Sequence, residues 1–174
     1  NKTLMLARAY FLLARGLVFG KIFNKLLEFV AWLDYRLLIM LSSWHPDRET
    51  RLKLLRKRGV NVGEHVWIDM GVFIEVTTPQ AVFIEDYAKI GFGATIYAHD
   101  AAVAVVADLP MRVLETRIGY NSAIGSRSII MPGAIVGKHC GIMPGAVVAG
   151  VVPDMTVVGG NPARHVLTAE QLGL

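Results

Sequence analysis

The sequence predicts a mainly β protein, a three-sided parallel β-helix of about four to five coils with an N-terminal α-helical extension. Three observations point there. Every sixth residue from Ile118 to Val148 is aliphatic, and the same spacing links Val60, Val66, Val72, Ile84, Ile90 and Ile96, with Thr78 as the polar member of that run. A helix repeats its faces every 3.6 residues and a strand every two, so neither sustains a six-residue period over this length. Small residues (Ala88, Ala94, Ser122, Ser128, Ala134, Cys140, Ala146) follow the aliphatics by four, and Gly91, Gly119, Gly125 and Gly137 follow them directly. Such positions suit a tight corner, where Gly supplies a positive φ or a close backbone approach. Charge divides the chain at Gly59: residues 1–59 carry 12 Lys+Arg against 4 Asp+Glu, and residues 60–174 carry 6 against 10.

Residues 1–59 read as a basic, apolar helical extension. Between residues 4 and 41 there is no Pro, and Gly16 and Gly20 are the weak points. The longest uncharged stretch, residues 37–46, falls short of the roughly 20 residues that a membrane span needs. Two readings are open for residues 1–45. They cap the first coil, or they lie on an anionic membrane with Phe11, Phe19, Phe23, Phe29 and Trp32 dipping inward. The excess of apolar residues and the local positive charge favour the membrane. After a break at Trp44-His45-Pro46, Asp47 is placed to cap a second helix that ends at Gly59. Its cations, Arg48, Arg51, Lys53, Arg56, Lys57 and Arg58, read as a solvated face. No aromatic groups interleave them, which excludes nucleic acid and leaves phospholipid or a phosphorylated substrate as the anionic partner. The single cysteine, Cys140, allows no internal disulfide and sits in a small-residue slot as core. A cytoplasmic location, peripheral on the inner face of the membrane, is expected.

The β-helix is expected over residues 60–167, followed by a short tail, residues 168–174. Its period breaks between Ile96 and Ile118, 22 residues apart, so residues 99–117 leave the coil as a loop. Loops on a rigid scaffold are where function concentrates, and this one begins with His99-Asp100.

The hexads, together with Gly159-Gly160-Asn161-Pro162-Ala163-Arg164 after the last coil, resemble the hexapeptide-repeat acyltransferases. The likeness covers residues 60 to about 167 and is similar in detail to the sugar and antibiotic O-acetyltransferases. It implies a left-handed winding, an acyl-CoA co-substrate (acetyl-CoA by default) lying between subunits of a homotrimer, and a sugar or lipid-linked sugar acceptor. It also implies a catalytic histidine at the junction of coil and loop, where Ile96-Tyr97-Ala98-His99 stands. A histidine suits proton removal from an attacking hydroxyl because it titrates near neutrality. Of the others, His45 lies outside the solenoid, His65 and His139 fall at solvent-facing hexad positions, and His165 follows the terminal motif. Asp100, Asp69 and Glu85 are the candidates to orient His99, and Asp69 is also a candidate for the acceptor site. Gly125 and Ser126 match the segment that contacts the acyl-CoA. Pro144 and Ala149 fall in the coenzyme groove, and Arg164 is placed to hold the nucleotide phosphates. Where relatives carry a Thr-Lys pair, this chain has Ala149-Gly150; one cationic phosphate contact is lost, and an acyl carrier protein becomes an alternative donor.

Two other functions fit the scaffold. One is a non-catalytic trimeric scaffold or membrane adaptor. The other is a zinc enzyme like the γ-class carbonic anhydrases, which needs three convergent histidines. His65, His99 and His139 are 34 and 40 residues apart, not whole coils, so no metal is expected.

Overall fold

The structure is a computed structural model that describes residues 25, 26, 28, 33–168 and 171. The expectations for Phe11, Phe19, Phe23, Phe29 and Trp32, and for most of the C-terminal tail, lie outside the described residues. The chain divides into two compact units, residues 1–38 and 39–174. In the first, the described residues are helical, and Leu26, Leu33, Tyr35 and Leu37 are exposed. No helix among the described residues is long and apolar enough to cross a membrane.

The second unit is a stack of short parallel strands forming three walls. The first wall is Asn61–Val62, Val82–Ile84, Thr116–Ile118, Ile135–Val136 and Val151–Val152. The second is Trp67–Ile68, Lys89–Ile90, Ala123–Ile124, Gly141–Ile142 and Thr156–Gly159, with Arg164–Thr168 added antiparallel at its end. The third is Phe73–Ile74, Thr95–Ile96, Ile129–Ile130 and Val147–Val148. In the two-residue strands the second residue points inward, as do the first and third residues of Val82–Ile84 and Thr116–Ile118, so Ile68, Ile90, Ile124 and Ile142 stack in register through the core. The small slot lies two residues before each of these aliphatics. Ala88, Ala94, Ser122, Ser128, Ala134, Cys140 and Ala146 are all buried there, as expected. The Cys140 thiol bonds the Pro153 carbonyl at 2.9 Å, and burial pushes its pKa up.

The corners divide the work that the sequence had assigned to one glycine. Gly119 and Gly125 stand where successive levels touch: a Cβ would lie 2.5 Å from the Gly137 backbone in one case and from the Pro144 nitrogen in the other. Neither has a positive φ. The left-handed residue comes two positions later, at His65, Tyr87, Asn121, His139 and Met155 on the corner after the first wall.

The period also breaks earlier than the hexads suggest. Successive partners on the second wall, Ile68, Ile90, Ile124, Ile142 and Val158, are 22, 34, 18 and 16 residues apart. Val66 and Val72 occupy small slots, not aliphatic ones, and Thr78 precedes a 3-10 turn, Pro79–Ala81, outside the ladder. A phase error of two plus an insertion of four makes one whole hexad, which hid this break. All the irregular lengths fall at the corner between the third wall and the first.

The helix Arg48–Arg58, α1, has the expected caps: Asp47 accepts from the Thr50 amide at 2.7 Å, and Gly59 closes the C-terminus at φ 100°. Its cations are not simply a solvated face. Each level donates its N–H groups to the next, so the outermost carbonyls of the first level lack strand partners. Three arginines of α1 supply them: Arg56 bonds Val62 O on the first wall, Arg51 bonds Ile68 O on the second, and Arg58 bonds Ile74 O on the third. Arg51 and Arg58 are 4% and 7% exposed. Bonds from charged donors of this kind are worth about 1.5–3 kcal/mol each. Leu52 and Leu55 close the core beneath them.

Candidate active site

The irregular corner brings together the loop histidine, His99, and a buried carboxylate, Glu75. At its first level the chain leaves the third wall at Glu75 and passes through the Pro79–Ala81 turn. At its second level it leaves at Tyr97 and forms an antiparallel pair, His99–Asp100 with Arg112–Val113. Between them lies a short helix, Ala102–Ala107, which we label α2. The Leu114 amide donates to Ala98 O and the Thr116 hydroxyl to Tyr97 O, closing the loop at its base.

This arrangement places Glu75 directly beneath His99. The Glu75 side chain is 1% exposed, and its Oε2 lies 2.6 Å from His99 Nδ1. Oε2 also accepts from the Ala98 amide at 3.0 Å, and Oε1 accepts from the Thr77 amide at 2.8 Å. Burial alone would raise the pKa of this carboxyl. The Ala98 and Thr77 amides and His99 outweigh it and hold the pKa below the ordinary glutamate value. An ionised carboxylate only accepts, so the ring proton of the neutral imidazole belongs on Nδ1 and Nε2 keeps its lone pair. The His99 side chain is 25% exposed, open to solvent.

Glu75 was not among the carboxylates expected to orient the ring. Asp69 accepts from the Trp67 indole at 2.9 Å, Glu85 accepts from the Tyr120 amide, and Asp100 pairs through its backbone with Arg112. The signal for Glu75 was an acid directly after an aliphatic, legible only once Ile74 is put in the aliphatic slot.

The remaining candidates form two other groups. Asp69, Gly125, Ser126 and Pro144 line an open groove of about 500 Å³ along the second wall, floored by Ala123 and Gly141 and bounded by Trp67 and Lys89. Ala149 and Arg164 line a second cavity of about 290 Å³ at the last level, beside His165. The Gly125 amide is spent on Ile142 O. His65 stacks on Tyr87 at 4.8 Å, and His139 meets Tyr120 at 5.5 Å on the corner after the first wall, away from the His99 corner. Among the described residues no group of three or more His, Cys, Asp or Glu is placed to hold a metal ion.

Residues 115–150 match the family described as the hexapeptide repeat of succinyl-transferase. The protein CapG of Staphylococcus aureus is 32% identical over 122 residues, 67% of this chain and 70% of its own length. The chain belongs to the hexapeptide-repeat acyltransferase family. YvoF of Bacillus subtilis, assigned as an acetyltransferase, is 28% identical over 113 residues, and the match spans 63% of that relative's length and 65% of this chain. Among solved structures, a hexapeptide-repeat acetyltransferase of Vibrio cholerae superposes with a TM-score of 0.65 at 21% identity over 78% of this chain and 88% of that one. Its complex with acetyl coenzyme A superposes with a TM-score of 0.64. The likeness shows the family fold and is consistent with a left-handed β-helix.

Proposed function

We propose that the protein is an acyl-CoA-dependent O-acetyltransferase whose acceptor is a hydroxyl of a sugar or lipid-linked sugar. The observation that carries this reading is the buried Glu75 carboxylate held against His99. In the proposed step, His99 Nε2 takes the acceptor's hydroxyl proton as its oxygen attacks the thioester carbonyl. The tetrahedral oxyanion is met by the Ser126 amide, collapses, and expels the coenzyme thiolate, which takes up the proton from the imidazolium. Glu75 stays ionised throughout and stabilises that imidazolium. Asp69 and Asp100 are proposed on the acceptor side.

A homotrimer is part of the same proposal. His99 stands at one corner of the prism, and Asp69, Gly125, Ser126 and Pro144 line a groove along the second wall. A neighbouring copy would bring a groove of its own beside each His99. The coenzyme would run along the groove past Pro144, with Ala149 and Arg164 toward its nucleotide end. Residues 1–45 would hold the trimer on the anionic inner face of the membrane, in the cytoplasm; sedimentation with anionic vesicles at low salt tests that part.

Transfer of acetyl from acetyl-CoA to a panel of sugar hydroxyls, measured for the wild type and His99→Ala, tests the chemistry. Loss of about 10²–10⁴-fold in kcat is expected. Undiminished turnover by the variant would remove His99 from the mechanism, and activity only with an acyl carrier protein would change the donor.

A further inference from the structure

Two of the three arginines that close the first level do structural work alone, but the third also touches the residue under the base. Arg58 Nη2 donates to Ile74 O and to Glu75 O, both at 2.8 Å, while Nη1 donates to the Ser42 hydroxyl at 2.9 Å. The Ser42 hydroxyl in turn donates to Ile39 O at 2.8 Å. On its other side the Glu75 amide donates to Ile96 O. The backbone of Glu75 is therefore held between α1 and the second level, just where the chain departs into the irregular corner. The ladder holds Glu75 only through its amide, and Arg58 anchors its carbonyl on the other side.

We propose that Arg58 is a positioning residue for the base: its guanidinium fixes the backbone of Glu75, and through it the Glu75–His99 contact, so that α1 is part of the active-site framework. The inference rests on the reading of His99 as the base. It makes the helix more than an end cap, and it predicts that the three arginines differ in what their loss does. Arg51 is the matched control, similarly buried, and its guanidinium donates to Ile68 O at 2.8 Å and to His45 O and Pro46 O rather than to Glu75.

The experiment compares Arg58→Gln with Arg51→Gln in the full chain, each alone and combined with Glu75→Gln. Both single variants are expected to lower the melting temperature. Arg58→Gln is expected to lower kcat at least tenfold with KM for acetyl-CoA within twofold, and to add nothing in the Glu75→Gln background, because the two act through one contact. Arg51→Gln is expected to keep its kcat. Equal kcat for the two arginine variants, or losses that multiply with Glu75→Gln, would overturn the proposal.

A second readout does not depend on turnover. The proton shared by His99 Nδ1 and Glu75 should give a downfield proton resonance, kept in Arg51→Gln and lost in Arg58→Gln; its persistence in Arg58→Gln would overturn the proposal even if His99→Ala proved fully active. Where Arg58→Gln does not fold, Ser42→Ala loosens the same guanidinium by one hydrogen bond. A two- to fivefold fall in kcat, absent in the Glu75→Gln background, then supports the proposal, and an unchanged kcat with an unchanged resonance rejects it.

Discussion

The corner after the first wall and the corner after the third are built on opposite principles. The first repeats one geometry at every level: a left-handed residue stands at His65, Tyr87, Asn121, His139 and Met155. None of these is Gly, so each level accepts roughly 1–3 kcal/mol of backbone strain to keep the ladder in register. The corner after the third wall is built differently at successive levels. It holds a 3-10 turn at one, a hairpin with α2 at the next, a plain turn at Gly133, and only Ala149 and Gly150 at the last. Regularity serves the stack, and the departures hold Glu75 and His99.

Four measurements sharpen or break that contrast. The largest effect is expected at the irregular corner, where Glu75→Gln should lower kcat by about 10²-fold or more, with KM for acetyl-CoA unchanged. The neutral amide loses the charge that stabilises the imidazolium, and its NH2 must face a donor where both carboxylate oxygens now accept. A change in KM alone would make Glu75 a binding residue. Next, Gly119→Ala at the regular corner should cost up to about 3 kcal/mol through overpacking. The corresponding fall in melting temperature is about 6–12 °C, since its Cβ would lie 2.5 Å from the Gly137 carbonyl group. A variant that melts with the wild type would mean that the levels are not in contact there.

The third measurement concerns pH. The pKa of Glu75 is depressed on folding, so its contribution to stability is complete above the ordinary value of 4.5 and is lost as pH falls through the folded-state value. The stability difference between wild type and Glu75→Gln should therefore shrink on acidification below that value, as read from denaturant midpoints; a constant difference would show that the charge contributes nothing. The smallest change is expected in stability when residues 101–111 are replaced by an Asn-Gly turn. That exchange keeps the strand pair of His99 with Val113 and touches none of the three walls. Its melting temperature should stay within about 2–4 °C, and a cooperative loss of the fold would show that the irregular corner carries the stack after all.

The sequence carried much of this architecture because the stacked aliphatics and small slots lie six residues apart wherever the ladder is regular. The site was legible where the ladder's failure was large: the loop after Ile96 pointed to His99. It was illegible at Glu75, since Val66 and Val72 are apolar in a slot that further along the chain mostly holds Ala, Ser or Cys, and apolarity alone does not report phase. The arginines of α1 were misread for a related reason. Charge in a sequence signals solvent, whereas a guanidinium can be buried when its neighbours are carbonyls that no strand reaches, as Arg51 and Arg58 show.

Those three guanidiniums bear on something other than catalysis. A stack whose every level offers donors to the next and acceptors to the one before is a natural unit of a fibre, and two such ends meeting would polymerise without limit. By occupying Val62 O, Ile68 O and Ile74 O from a single 11-residue helix, the chain terminates its own repeat. Neutralising all three cations together should expose this one acceptor edge and promote association through it, read as oligomers in light scattering, while the opposite end stays closed on the second wall by Arg164–Thr168.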